Sequence, residues 1–175
     1  MCPGGTVVSA TSEENCLVIN GMSEYARDDN NTNSAILVTV SQKDFGSEHP
    51  LAGAMFQRKI EQAAFAAGGG GYQAPVQRLE GLFQKRATTV FGEVLPTCLP
   101  TTGFAEVDFY LPGCLTDSLR QGILEMDKWM YDFAYPDALL TGTETHSSSP
   151  VRITREDSFL AVGIKGLYPC GEGAG

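Results

Sequence analysis

The stretch "TVVSATSEENCLVING" (residues 6–21) does most to decide the class of fold. Its two ends, "TVVSAT" and "CLVING", are rich in β-branched residues, and the polar "SEEN" between them predicts the turn of a β-hairpin. The Asp- and Asn-rich segment that follows is typical of a polar loop, since these side chains bond their own backbone. "SAILVTVS" (residues 34–41) then predicts a buried strand. The chain therefore opens with β-structure.

A first long helix is predicted after Pro50, because proline suits the first helical position. Apolar residues recur at helical spacing from Phe56 through Ile60 to Ala67. Four glycines at residues 68–71 end the pattern. A dinucleotide-binding fingerprint needs a strand before its glycines, and here a helix precedes them, so a helix C-cap and loop are favoured.

A second long helix is predicted over "CLTDSLRQGILEMDKWMYDFAY" (residues 114–135), with Thr116 as a possible N-cap. Its apolar side chains recur at helical spacing, which indicates core packing more than a cofactor-binding stripe. These residues are Leu115, Leu119, Ile123, Met126, Met130 and Phe133.

The last part of the chain predicts strands again. The segments are "DALLTGTE" (137–144), "PVRITRE" (150–156), "SFLAVGI" (158–164) and "GLYPCG" (166–171). Strands, then helices, then strands predict an α+β fold with a mainly antiparallel sheet. A length of 175 residues predicts one domain, residues 1–175.

Charge and cysteine content narrow the classes of function. With 12 basic against 21 acidic residues the formal charge is −9, which argues against binding nucleic acid or an anionic membrane surface. No apolar run approaches the ~20 residues of a membrane-spanning helix, and from the opening "MCPGGTVV" we expect no signal peptide. Five widely spaced cysteines without a CxxC pair argue against a metal site and favour free thiols in a reducing cytoplasm.

The most informative local pattern is "GEGAG" (residues 171–175), directly after the apolar pair Leu167 and Tyr168. Glycines let a backbone approach a ligand closely, and their amides can face phosphate oxygens. An acid at the end of a strand, here Glu172, can accept hydrogen bonds from sugar hydroxyls. An ordinary surface turn explains the pattern equally well.

Three side chains are candidates for contacting a substrate. Arg152 follows a Ser-Pro turn and can clamp a substrate carboxylate or a flavin carbonyl through paired donors, although a plain surface or structural ion pair is favoured. Glu144 can form an acid–base pair with His146, for which a catalytic role is disfavoured. Arg27 can reach a ligand from its loop, but the acidic residues beside it are typical of a solvated turn.

Taken together, these segments resemble a known family. The matching stretches are "CPGGTVVSATSEE", "LVINGMSEYARDDNNTNSAILVTV", "HPLAGAMFQRKIE", "APVQRL", "PDALLTGTETHSSSPVRITR" and "KGLYPCGEGAG". The sequence resembles the bacterial FAD-dependent dehydrogenases of uncharacterised function, within the two-dinucleotide-binding class of flavoproteins. The resemblance covers nearly the whole chain, and its specificity comes from the combination of stretches.

The resemblance implies a set of FAD contacts at both ends of the chain. Glu172 would bond the ribityl chain, and the residues beside it would lie along the flavin and pyrophosphate. The opening turn would approach the isoalloxazine ring from the other side. The residues implied in this way are Cys2, Pro3, Gly4, Gly5, Gly171, Glu172, Gly173, Ala174 and Gly175.

The resemblance also implies a place in a larger protein. Family members carry a Rossmann unit with a G-x-G-x-x-G motif, which this sequence lacks. We therefore expect an inserted domain that covers the flavin and shapes the substrate pocket. Residues 1–5 and 166–175 would be the seams to the FAD-binding domain, and the chain by itself would retain FAD poorly. A stand-alone, non-enzymatic binding or interaction domain is the alternative.

Cys2 and Cys170 would both lie near the flavin under this resemblance. A redox-active disulfide between them is conceivable, but the absence of a CxxC or CxxxxC pairing favours structural thiols.

Overall fold

The computed structural model describes residues 1–174 and confirms the α+β class. Within those residues, the elements in chain order are β1 Gly5–Ser9, β2 Ile19–Ser23, α1 Ala52–Ala67, β3 Ala74–Arg78, α2 Leu79–Gln84, β4 Cys98–Leu99, β5 Thr102–Phe104, α3 Gly113–Asp127 and β6 Leu139–Thr141. They belong to two compact units. Unit 1 comprises residues 1–39 and 59–144, and unit 2 comprises residues 40–58 and 145–174. The division falls within α1.

The hairpin predicted from the opening stretch is confirmed. Strands β1 and β2 pair antiparallel, with Val7 opposite Gly21. The pairing continues toward the turn through the Ala10 N–H, which donates to the Val18 carbonyl at 2.8 Å. Strand β2 begins at Ile19, later than the apolar run itself, and Leu17 just before it is fully buried.

Antiparallel pairing predominates, as predicted, but each of the two sheets also contains a parallel pair and is therefore mixed. In the first sheet, of order β2-β1-β4, strand β1 pairs antiparallel with β2 and parallel with β4. In the second, of order β5-β3-β6, strand β3 pairs parallel with β5 and antiparallel with β6. Parallel neighbours require a crossover, and α2 with the loop after it supplies the crossover between β3 and β5.

The glycine run after α1 caps the helix as predicted. The Gly70 N–H donates to the Phe65 carbonyl at 3.0 Å, and the Gly69 N–H donates to the Ala66 carbonyl at 3.1 Å. Gly69 has φ +93°, the left-handed conformation that glycine adopts without strain. This pattern is a Schellman motif, which satisfies carbonyls at the end of the helix.

Helix α3 confirms only part of what its sequence predicts. Pro112 takes the N-cap position, and Thr116 is a buried helical residue whose hydroxyl donates to the Pro112 carbonyl at 3.3 Å. The apolar stripe holds at Ile123, which is 1% exposed, whereas Met126 and Met130 are about two-fifths exposed. Met130 lies beyond the end of the helix at Asp127, and Met126 lies in its last turn.

Two predicted β-regions are wrong. Residues 34–41 form no strand, and residues 150–171 contain only a single bridge, between Arg155 and Ala161. Gly163 and Gly166 each have a φ near +78° in this second region. Left-handed residues turn the chain where a strand would have to remain extended.

The main core lies in unit 1. Its buried members come from both sheets, from α1, α2 and α3, and from the segments between them: Leu17, Ile19, Ala64, Ala74, Leu79, Leu82, Cys98, Val107, Tyr110 and Ile123. In unit 2, Phe45 packs against Phe56 with ring centroids 5.6 Å apart, and the Ile153 N–H donates to the Gly173 carbonyl at 2.7 Å.

Gln77 on β3 is a buried polar side chain that ties two loops to the second sheet. It is 2% exposed; its Oε1 accepts the Val107 N–H at 2.9 Å and its Nε2 donates to the Arg86 carbonyl at 3.2 Å. We expect Gln77→Leu to lower the free energy of unfolding by about 2–3 kcal/mol, because a buried amide and carbonyl lose their partner. Urea denaturation measures this. Gln62→Leu, on the exposed face of α1, is the matched control, and an equal loss in both variants would contradict the prediction.

Candidate functional site

A cavity of about 550 Å³ lies within unit 1. Its apolar wall contains Val7 from β1, Cys98 from β4, Ile123 from α3 and Leu140 from β6. The remaining walls come from loops, chiefly residues 30–36 and 130–135. A cavity of this size is typical of sites for small organic molecules.

The charged side chains that line the cavity are all acidic. Asp132 and Glu144 are among its lining residues, and no lysine, arginine or histidine of residues 1–174 is. An anionic ligand would therefore meet like charge from these side chains, with no basic side chain beside them to offset it.

Tyr110 places a hydroxyl group at this cavity from the buried core. The residue is 5% exposed, follows a 3-10 turn at Val107–Phe109, and lines the cavity. Burial raises the pKa of its hydroxyl, so the group remains neutral and able to donate a hydrogen bond.

Asn33 links the start of the chain to the cavity wall, a role that its place in a predicted polar loop did not indicate. Its backbone exchanges two hydrogen bonds with Cys2, at 2.7 and 3.1 Å. Its side-chain Nδ2 donates to the Met22 carbonyl at 3.2 Å. A Cβ on Gly5 or on Gly21 would lie within 2.4 Å of the Asn33 amide, so both glycines make room for it.

Asp137, at the start of the segment leading to β6, fastens a loop beside the cavity. The residue is 6% exposed, and its Oδ1 accepts from Arg78 Nε at 2.6 Å. Its Oδ2 accepts the backbone N–H groups of Glu93 and Val94, the latter at 3.0 Å. These contacts, the Val94 N–H first, hold the pKa of Asp137 below its ordinary value.

Comparison with known proteins shows that the part of the chain that forms this cavity matches a known family. The model of the family described as "FAD-dependent protein, C-terminal domain-like" matches residues 1–147, which include every residue that lines the cavity. The chain belongs to this family. That membership confirms the resemblance to FAD-dependent proteins, at the level of a C-terminal region.

A relative of this chain is found in Clostridium beijerinckii. It is 49% identical over 175 residues and is described as an uncharacterized protein. The match covers 100% of this chain and 33% of the relative, so the chain spans about a third of the length of that protein.

The opening turn, which the family resemblance assigns to the flavin, is packed against its own chain. Gly4 has φ +57°, and a Cβ there would lie 2.3 Å from the backbone carbon of Arg27. The Gly5 N–H donates to the Asn31 carbonyl at 2.7 Å. Internal packing thus requires both glycines. Cys2 is half-buried and Pro3 is exposed; a flavin contact for the four residues of this turn stays a prediction.

The described part of the terminal turn fits a cofactor contact at two residues. A Cβ on Gly171 would meet no atom within 4 Å, so its backbone is open to an approaching group, and Glu172 is exposed. Gly173 instead faces Ser149, 2.8 Å from the position of a Cβ, and Ala174 is buried. Gly175 lies outside the described residues. The whole turn follows the range that the family model matches.

The three candidate substrate residues lie in different surroundings. Glu144 is half-buried and lines the cavity of unit 1. Arg27 is in the same unit and is exposed. Its backbone has φ +55° and packs against Gly4. Arg152 is exposed in unit 2. The structure therefore places Glu144 at the cavity and does not place Arg27 among its lining residues.

The cysteines offer no nucleophile at this site. All five are free thiols, including Cys2 and Cys170. Cys98 lines the cavity, but burial raises the pKa of its thiol and so disfavours the reactive thiolate. Within residues 1–174, no three His, Cys, Asp or Glu side chains are grouped closely enough to hold a metal ion, and no helix is both long and apolar enough to cross a membrane.

Proposed function

We propose that this chain is the part of an FAD-dependent oxidoreductase that covers the flavin and shapes the substrate pocket. The observation that carries the proposal is the 550 Å³ cavity, whose lining residues all fall within the range that matches the FAD-dependent family. A largely apolar cavity with a few polar groups is the usual form of a pocket for a small organic substrate. Glu144, which lines it, is the candidate side chain best placed to contact that substrate.

FAD, when bound, would supply hydride transfer, which protein side chains cannot perform. Within this chain, the open backbone at Gly171 and the exposed carboxylate of Glu172 are the groups that fit a contact with it. Most of the contacts that bind the cofactor would come from an FAD-binding domain elsewhere in the same polypeptide. In support, the chain spans only 33% of its Clostridium beijerinckii relative.

Exposed apolar side chains also support contact with a further part of the polypeptide. In unit 2, Phe159, Ile164 and Tyr168 are all more than half exposed. Several large apolar side chains exposed in one short segment support a face that another domain covers. A cytoplasmic location for the whole protein stays a prediction.

The test is the visible absorption spectrum of the full-length protein, purified from its host without added flavin. We expect flavin bands that bleach on anaerobic addition of NADH or NADPH. Flavin bands that do not bleach would support FAD as the cofactor and would indicate an electron donor other than NADH or NADPH. A colourless protein that also fails to bind added FAD would overturn the proposal and favour a non-enzymatic binding domain.

The role of Glu172 can be tested in the same full-length protein. We expect Glu172→Ala to weaken FAD binding about tenfold, since a charge-assisted hydrogen bond contributes about 1.5 kcal/mol or more. The measurement is a fluorescence titration of apoprotein with FAD. Glu48→Ala, another exposed acid of unit 2, is the control. Equal affinities for FAD in both variants would remove Glu172 from the cofactor site.

A further inference from the structure

The Tyr110 hydroxyl is a polar group brought to the cavity with no partner in the protein. The tyrosine belongs to the buried core, and its oxygen bonds none of residues 1–174. No fully buried side-chain nitrogen or oxygen lacks a hydrogen bond among those residues. The Tyr110 oxygen is therefore reached from open space, and the open space that Tyr110 lines is the cavity. A donor in this position is available to a ligand.

Gly142 keeps the hydroxyl where it is. A Cβ at this position would lie 2.4 Å from the Tyr110 oxygen, closer than any real contact allows. Any other residue at position 142 would displace the ring or the strand end. The close approach of backbone and phenol fixes the direction of the hydroxyl, as a binding site requires of its donors.

The other lining groups restrict the chemistry of the ligand. The acidic side chains Asp132 and Glu144, with no basic side chain among the lining residues, disfavour carboxylates and phosphates. The apolar wall at Val7, Ile123 and Leu140 favours a hydrocarbon body.

We propose that this cavity binds an uncharged, largely apolar molecule with a hydrogen-bond acceptor, such as a ketone oxygen, to which the Tyr110 hydroxyl donates. Tyr110 is then a binding residue for the substrate class of the site. Calling the ligand a substrate rests on the proposed function, whereas its binding rests only on the cavity and the hydroxyl.

The experiment compares two probes and three forms of the full-length protein. The first probe is the naphthyl ketone PRODAN, whose emission shifts to the red when its carbonyl accepts a hydrogen bond. The second is its analogue with a methylene group in place of the carbonyl. The proteins are wild type, Tyr110→Phe, and Tyr25→Phe, which alters a fully exposed tyrosine outside the cavity.

We expect Tyr110→Phe to bind PRODAN about fivefold more weakly than wild type and to lose the red shift. Binding of the methylene analogue should be unchanged, and Tyr25→Phe should match wild type with both probes. The melting temperature of Tyr110→Phe should not fall, because the hydroxyl has no protein partner to lose. Equal PRODAN affinity in wild type and Tyr110→Phe, or no binding to wild type, would overturn the proposal. A lower melting temperature would show a structural partner for the hydroxyl and would also overturn it.

The same samples separate this proposal from the proposed function. A colourless protein that binds PRODAN through Tyr110 would refute the flavoprotein assignment and leave the ligand site standing. A flavin-containing protein whose Tyr110→Phe variant binds PRODAN like wild type would do the reverse.

Discussion

Gly4→Ala is expected to destabilise the protein by about 4 kcal/mol, from a left-handed backbone that costs a non-glycine residue 1–2 kcal/mol and from overpacking. The new Cβ would lie 2.3 Å from the carbonyl carbon of Arg27 and 2.6 Å from the amide nitrogen of Asp28. Both are backbone atoms, so no side chain can rotate away. The turn at residues 24–28 would have to move, and the pairing of Cys2 with Asn33 would be disturbed with it. Urea denaturation of the full-length protein measures the loss.

Gly71→Ala is the matched control for Gly4→Ala. Gly71 has φ +63°, close to the +57° of Gly4, but a Cβ there would meet nothing within 4 Å. It therefore carries the backbone strain without the clash, and we expect a loss of about 1 kcal/mol. Similar losses in the two variants would show that packing against Arg27 contributes little.

The same pair of variants bears on the assignment of Gly4 to the flavin. If the absence of a Cβ at Gly4 served only the approach of a ligand, Gly4→Ala would keep its stability and lose FAD affinity. The clash with Arg27 predicts instead that Gly4→Ala lowers the free energy of unfolding. The contacts of Gly4 with Arg27 and Asp28 are thus an internal reason for a glycine in this turn, independent of any ligand.

Local patterns predicted those elements whose cause is local. The hairpin follows from alternating β-prone runs about a polar turn, and the end of α1 follows from glycines that close a Schellman motif. Helix α2, six residues long with Gly81 inside it, has no such signal and depends on packing: Leu79 and Leu82 are buried. Residues 150–171 have β-prone composition, but their glycine turns prevent a ladder.

The cavity was beyond prediction for a different reason. Its wall joins Val7, Cys98 and Ile123, which are brought together only by the parallel pairing of β1 with β4 and the packing of α3. A tyrosine in a sequence gives no indication that its hydroxyl will lack a partner. Glu144 is the exception among the candidate substrate residues, since its β-prone segment ends at the cavity.

Asp137→Ala is expected to lower the free energy of unfolding by about 3 kcal/mol, because a buried carboxylate that accepts from a guanidinium and from two backbone N–H groups is lost. Arg78 would lose its partner at 2.6 Å, and the Glu93 and Val94 N–H groups would lose their acceptor. Gly92 shows how closely this loop packs, since a Cβ there would lie 2.2 Å from the Asp137 carboxylate. Asp157→Ala, at an exposed site in unit 2, is the control and should change stability by less than about 0.5 kcal/mol.

Asp137→Asn removes the charge of the same carboxylate while keeping its shape. Comparing this variant with wild type therefore shows how that charge makes stability depend on pH. The folded-state pKa of Asp137 lies below the ordinary 3.8, so its ionised form stabilises the protein fully at pH values above that figure. The contribution is lost as the pH falls from 3.8 through the folded-state pKa. Wild type should therefore exceed Asp137→Asn in stability at neutral pH, and the difference should shrink on acidification, as urea denaturation across that range will measure. A difference that stays constant with pH would show that the carboxylate acts by shape and hydrogen bonding, without a contribution from its charge.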